Sequence, residues 1–155
     1  MTACDSFRPA GRCKAFLIRR EIPADLSAVE AVALEVREAS ASLCSPLDAF
    51  AVELLVREAL TNAVLHGCRL DPKKSAFVAL RLTADRMVMV VREAGPGFDW
   101  RRQIEHSADD LDECGRGMAI YKALASRIRF NAAGNSLALT KLFNDIRNDR
   151  KNTHG

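Results

Sequence analysis

The sequence predicts an α+β two-layer sandwich, with helices on one face of a mixed, mostly antiparallel sheet. Three observations carry this. Strands come in close pairs, at 75–83 with 86–92 and at 127–132 with 137–143. Helical periodicity comes in blocks, two successive helices before the first strand pair and one before the second. The resulting order, β-α-α-β-β-loop-α-β-β, is neither the strict alternation of a parallel sheet nor a helical bundle.

Each element has a local reason. The run 12–20 (RCKAFLIRR) reads as a strand that Pro23 breaks. Asp25 or Ser27 can cap a helix to about Ser42, with Leu26, Val29, Ala33 and Val36 along one side. Ser45 before Pro46 starts a second helix, since proline is preformed for a first turn, and Gly67 after His66 is a natural stop. Only Ala84 and Asp85 separate the next two apolar runs, so these form an antiparallel hairpin. Gly95 and Gly97 make a turn, a polar stretch runs from Asp99 to Cys114, and a helix follows Gly115-Arg116-Gly117 to near Ser126. The last hairpin closes around Gly134-Asn135. Residues 1–11 read as a flexible N-terminus, 12–143 as one domain, and 144–155 as a disordered polar tail.

Composition excludes several classes. The chain of 155 residues is 48% hydrophobic and 28% charged, with a net charge of +3. No dense basic run interleaved with aromatics marks a nucleic-acid footprint, and no apolar stretch approaches the ~20 residues of a membrane span. Met1–Gly11 has no apolar core, so it is no secretory signal, and the expected location is the cytoplasm. The five cysteines, Cys4, Cys13, Cys44, Cys68 and Cys114, are odd in number and contain no CxxC, which favours apolar fillers over zinc ligands or disulfides.

Two signals carry chemistry. On the second helix, Glu58 and Asn62 lie one turn apart within about 40° of each other, in what reads as a core-facing stripe with Ala51, Leu54, Leu55 and Leu65. Glu53 and Arg57 fall on the other side. A carboxylate inside such a stripe is costly unless it is paired, tilts to the rim or faces a polar pocket. In a pocket, Asn62 offers a hard carbonyl ligand suited to magnesium, and Glu58 can take a proton from a nucleophile. His66 continues the stripe; alone it reads as a hydrogen-bonded structural residue. The second signal is a pair of glycine turns. Glu93-Ala94-Gly95-Pro96-Gly97 follows a strand; alone it reads as a simple strand-exit turn, and as a site its carboxylate can accept from an exocyclic amine such as adenine's. Gly115-Arg116-Gly117-Met118 precedes a helix, where its glycines either cap the helix or leave free N–H groups that, with Arg116, attract phosphate. The long connection between the two turns has the length of a lid.

Taken in order, these motifs resemble a known family. Glu58–Gly67 (EALTNAVLHG) resembles the N-box of the Bergerat ATP-binding fold, shared by gyrase, Hsp90, histidine kinases and mismatch-repair ATPases. Glu93–Gly97 and Gly115–Met118 resemble its two glycine boxes. ExxxNAxxHG, then GRGMAIYKAL and GNSLALTK, point more narrowly to the anti-sigma-factor serine kinases of bacterial partner switching, over about residues 12–143. The resemblance implies ATP and Mg2+ as cofactors, with Asn62 as the metal ligand and Glu58 as the catalytic base. It places Asn62, His66, Glu93, Gly95, Gly97, Gly115, Arg116, Gly117, Met118 and Asn135 around the nucleotide. It further implies a STAS-type anti-anti-sigma protein as substrate, a sigma factor or other regulator as target, and a homodimer. Two positions depart from the family pattern: Glu93 stands where an aspartate is usual, and Asn135 where a threonine is frequent. Glu93 supports a second reading, a module that sequesters a regulator without transferring phosphate.

Overall fold

The computed structural model describes residues 14–102 and 113–143. The N-terminal segment, most of the 99–114 connection and the C-terminal tail, all singled out above, lie outside these, as do the side chains of Cys4, Cys13 and Cys114.

Five strands, β1 (Phe16–Pro23), β2 (Ser75–Leu82), β3 (Arg86–Glu93), β4 (Arg127–Phe130) and β5 (Ser136–Leu142), form one sheet in the order β1-β2-β3-β5-β4. All four pairings are antiparallel, so the sheet is simpler than the mixed one expected. Alternation decides its faces. Ala76, Val78, Leu80 and Leu82 of β2, Met87, Met89 and Val91 of β3, and Leu137 and Leu139 of β5 are buried on one side. Strand β1 runs through Pro23, which pairs with Ser75; an edge strand tolerates a residue with no N–H to donate.

Three α-helices cover the buried face: α1 (Leu26–Ala41), α2 (Pro46–Asn62) and α3 (Glu113–Leu124). Asp25 caps α1 by accepting from the Ser27 amide at 2.9 Å. Ser45 caps α2 by accepting from the Asp48 amide at 3.1 Å, with Pro46 in the first turn. Asp48 is buried but paired: the Ser45 hydroxyl donates to it at 2.8 Å and Lys141 of β5 lies 3.6 Å away. That pair ties the start of α2 to the sheet. Arg57 holds Glu53 at 3.0 Å and also bonds Glu30, joining α1 to α2 on their outer side.

Two sequence expectations need correction. The core stripe of α2 is Ala51, Val52, Leu55, Val56, Ala59 and Leu60, all buried. Leu54, Glu58 and Asn62 lie half-buried on its flank, because the true stripe is rotated by roughly 110° about the helix axis from the expected one, toward Val52, Val56 and Ala59. Helix α3 begins at Glu113, so Gly115-Arg116-Gly117 lies within its first two turns instead of preceding it.

Candidate functional site

Helix α2 does not end in an ordinary turn. Residues Ala63–Gly67 wind as a π-helical turn, closed by Cys68 N–H donating to Ala63 O at 2.8 Å and Leu70 N–H to Val64 O at 3.0 Å. Such turns insert a residue into the helical ladder and recur at functional sites. Arg69 and Leu70 follow with φ of 55° and 54°, a conformation that side-chain-bearing residues seldom adopt. The widened turn swings Gly67 under the end of β3. A Cβ on Gly67 would lie 1.4 Å from Glu93 Oε2, so the carboxylate occupies the space this glycine leaves. Gly95 in turn packs on the Gly67 carbonyl, where a Cβ would stand 2.3 Å from the oxygen.

The turn after β3 is locked to the turn between β4 and β5. Gly97 and Gly134 have φ of 80° and 76°, and a Cβ on either would strike backbone of the other turn, 1.9 Å from Ala133 O and 2.1 Å from Phe98 O. Asn135 stitches the two together. Its backbone carbonyl accepts from Glu93 N–H at 3.0 Å, its amide nitrogen donates to Gly95 O at 3.3 Å, and its amide oxygen accepts from Asn131 at 2.7 Å. Phe98 and Trp100 pack on Phe130, at ring separations of 5.4 and 5.6 Å, which extends the same join outward.

Between these turns, α2 and α3 lies a cavity of about 750 Å³ including its open mouth. Ala59, Ala63, Val91, Phe130 and Leu137 give it apolar walls; Asn62, His66, Glu93, Tyr121 and Asn135 supply polar groups. This is the usual make-up of a small-molecule site. Helix α3 walls one side through Tyr121; one turn earlier its Gly117 does not line the cavity but is buried against α2, where a Cβ would be 2.7 Å from Asn62 Nδ2 and 2.8 Å from Glu58 Oε1. Asn62 Nδ2 donates to the Tyr121 hydroxyl at 3.0 Å, which leaves its carbonyl oxygen as the group with free acceptor capacity. Tyr121 is held protonated by burial, so it accepts as a neutral phenol.

Glu93 is the most unusual group. Its Oε2 is buried and has no hydrogen-bond partner among the described residues. Burial pushes its carboxyl above the ordinary range, against the opposing pull of the Gly95 and Gly97 amides and of Lys74. A buried carboxylate oxygen with no donor is costly unless a ligand supplies one.

The structure therefore brings together Asn62, His66, Glu93, Gly97 and Asn135 as cavity lining, with Glu58 flanking it one turn earlier and Gly95 buried beneath its floor. Gly115 lies in the first turn of α3, and Arg116 is exposed there. Met118 is buried in the hydrophobic core and does not line the cavity. Tyr121 and Phe130 line the cavity without having been singled out, and Gly67 and Gly134, read from the sequence as a helix stop within the N-box pattern and as a hairpin turn, line it as well. Tyr121 alone was within reach, since it follows Gly117 by four residues and shares its helix face. No group of three or more His, Cys, Asp or Glu is poised to hold a metal among the described residues. Asn62 suits magnesium differently, as one hard oxygen ligand to an ion that keeps waters and phosphate oxygens around it.

A helical layer over an antiparallel sheet, with an acid and an amide one turn apart beside paired glycine turns, defines a nucleotide-binding domain. The sequence pattern of the histidine kinase-like ATPase domain matches residues 22–141, and the chain belongs to that family. Among curated proteins it is similar to the serine-protein kinase RsbW of Bacillus subtilis, 29% identical over 111 residues covering 66% of this chain and 69% of that one. It is also similar to the anti-sigma F factor of Oceanobacillus iheyensis, 28% identical over 68% of this chain and 80% of that one. The anti-sigma F factor of Shouchella clausii is 24% identical over 50% and 56%. No helix among the described residues is long and apolar enough to cross a membrane.

Proposed function

We propose that this chain is a cytoplasmic, ATP- and magnesium-dependent protein serine/threonine kinase and anti-sigma factor. Its substrate is a STAS-type anti-anti-sigma protein of a partner-switching system, and its working assembly is a homodimer. The family membership and the named relatives support the kinase and anti-sigma roles. The observation that carries the reading is the placement of Glu58 and Asn62 side by side against Gly117, at the end of a cavity whose far wall holds an unsatisfied carboxylate oxygen.

Phosphoryl transfer depends on positioning and charge neutralisation more than on covalent chemistry. Magnesium, when bound, neutralises phosphate charge and polarises the transferred group. Asn62, its amide nitrogen engaged by Tyr121, presents its carbonyl oxygen as a metal ligand. Glu93 accepts the adenine amine at the apolar end, where Val91 and Leu137 exclude water. Glu58 orients the incoming serine hydroxyl and receives its proton. Arg116, exposed on the first turn of α3, meets the outer phosphates.

Mixing the chain with labelled ATP, magnesium and a STAS partner tests this directly. Phosphate on the partner is expected with the wild type. Glu58→Ala should lose transfer by about 100-fold or more while retaining ATP, and Asn62→Ala should lose magnesium-dependent binding as well. Transfer by Glu58→Ala at the wild-type rate removes the base assignment. A second reading rests on Glu93, whose extra methylene fills the floor over Gly67. If that crowding excludes the base, the chain sequesters its regulator without transfer, and a thermal-shift titration with Mg·ATP gives no response.

A further inference from the structure

The face of the sheet turned away from the helices is uncovered. Its residues line up in cross-strand rows: Leu17, Arg81, Val88, Thr140 and Arg127 in one, and Arg19, Ala79, Val90, Ala138 and Arg129 in the next. A third row holds Glu21, Phe77, Arg92 and Ser136. The centre is apolar and low, and Leu17 and Val88 are exposed to 67% and 39%. Arginines stand on both sides of it. Arg19, Arg81, Arg127 and Arg129 are exposed and make no ion pair with any described residue. Glu21 is the single acid in these rows.

We infer that this face is a docking surface for an acidic amphipathic helix of a partner protein. Ala79, Val90 and Ala138 sit side by side on three adjacent strands, an uncharged row about 10 Å across, which matches the width of one helix. Flanking arginines meet carboxylates on the helix's two sides, since unpaired guanidiniums favour bidentate partners. A second copy of this chain does not suit the surface, because stacking face on face sets arginines against arginines. The chain's own ends do not suit it either: residues 1–13 carry one acid against two arginines, and 144–155 two acids against three lysine or arginine side chains. Single-stranded nucleic acid calls for free aromatic platforms; Phe77 is the one aromatic side chain on the face, and Arg92 already lies 5.7 Å over its ring. The nucleotide cavity opens on the opposite face, through Val91, Glu93 and Leu137, so a docked helix leaves it open.

The test uses the full chain and a 16-residue helical peptide with a leucine stripe flanked by glutamates. The controls are the same peptide with lysines for glutamates, a 16-nucleotide oligo-U RNA, and phosphatidylserine vesicles. Fluorescence anisotropy should show saturable binding of the glutamate peptide and none of the lysine peptide. Amide shifts should centre on Val88, Val90 and Ala138. The doubly substituted Arg81→Glu/Arg129→Glu protein should bind about tenfold or more weakly, and Arg81→Gln/Arg129→Gln, which keeps the bulk, should fall between. Both should keep the wild-type thermal response to Mg·ATP, which separates this inference from the kinase reading. Unchanged affinity in the double variants, shifts elsewhere, or tighter binding to RNA or vesicles would overturn it. So would a change of sedimenting mass on charge reversal, since a second copy would then be the occupant.

Discussion

The two glycine pairs look alike in sequence and do different physical work. Gly95-Pro96-Gly97 is a turn whose backbone needs glycine: Gly97 has φ of 80° and abuts the carbonyl of Ala133. Gly115-Arg116-Gly117 is ordinary α-helix, and Gly117 is there for room, so that α3 can lie against Glu58 and Asn62. One glycine fixes a shape and the other clears a space. The first should answer to substitution through stability, the second through ligand binding.

Gly97→Ala tests the shape side and should have the largest effect. It combines an unfavourable φ with a clash against backbone that cannot rotate away, and should cost about 3 kcal/mol in urea denaturation. Asn135→Ala removes the stitch between the same two turns and leaves the Gly95 carbonyl short of a donor. A loss of about 1–2 kcal/mol follows, with m unchanged. If both variants melt like the wild type, the turns are not locked as described. Gly117→Ala should invert the pattern. Alanine favours helix by about 1 kcal/mol, while its methyl displaces only the flexible ends of Asn62 and Glu58. Stability should hold or rise, and Mg·ATP affinity by calorimetry should fall about tenfold. A Gly117→Ala protein that unfolds easily yet binds normally would erase the distinction.

The smallest effect concerns pH. The folded carboxyl of Glu93 sits above its unfolded value because it is buried. Stability from this group is therefore fully present below the ordinary glutamate range and is lost as pH rises through the raised value, where ionisation inside the cavity must be borne. Glu93→Gln should flatten that part of the stability curve, and saturating nucleotide should flatten it too by supplying a donor. A melting profile unchanged by either would mean that water already satisfies the oxygen.

Residue pattern alone placed most elements well. The caps Asp25 and Ser45, the hairpin across Ala84-Asp85 and the turn at Gly134-Asn135 were legible because each rests on local chemistry between residues a few positions apart. The start of α3 was misplaced because glycines read as helix breakers, whereas in a helix packed tightly on a neighbour the lost propensity is outweighed by close approach. The rotation of the α2 stripe escaped for a similar reason: Val52, Val56 and Leu60 became core only once the sheet and α1 defined where the interior was.

By itself the sequence determined the kinds of groups available, an acid and an amide one helical turn apart and a carboxylate before a glycine turn. Their spacing along the chain is covalent and needs no fold to be read. Only the tertiary structure decided that the end of α2 winds into a π turn, that Gly67 receives the Glu93 carboxylate, and that Tyr121 engages Asn62 from a helix 59 residues away. Those contacts depend on which surfaces the packed core brings within a few ångströms, a property of the whole chain and not of any one motif.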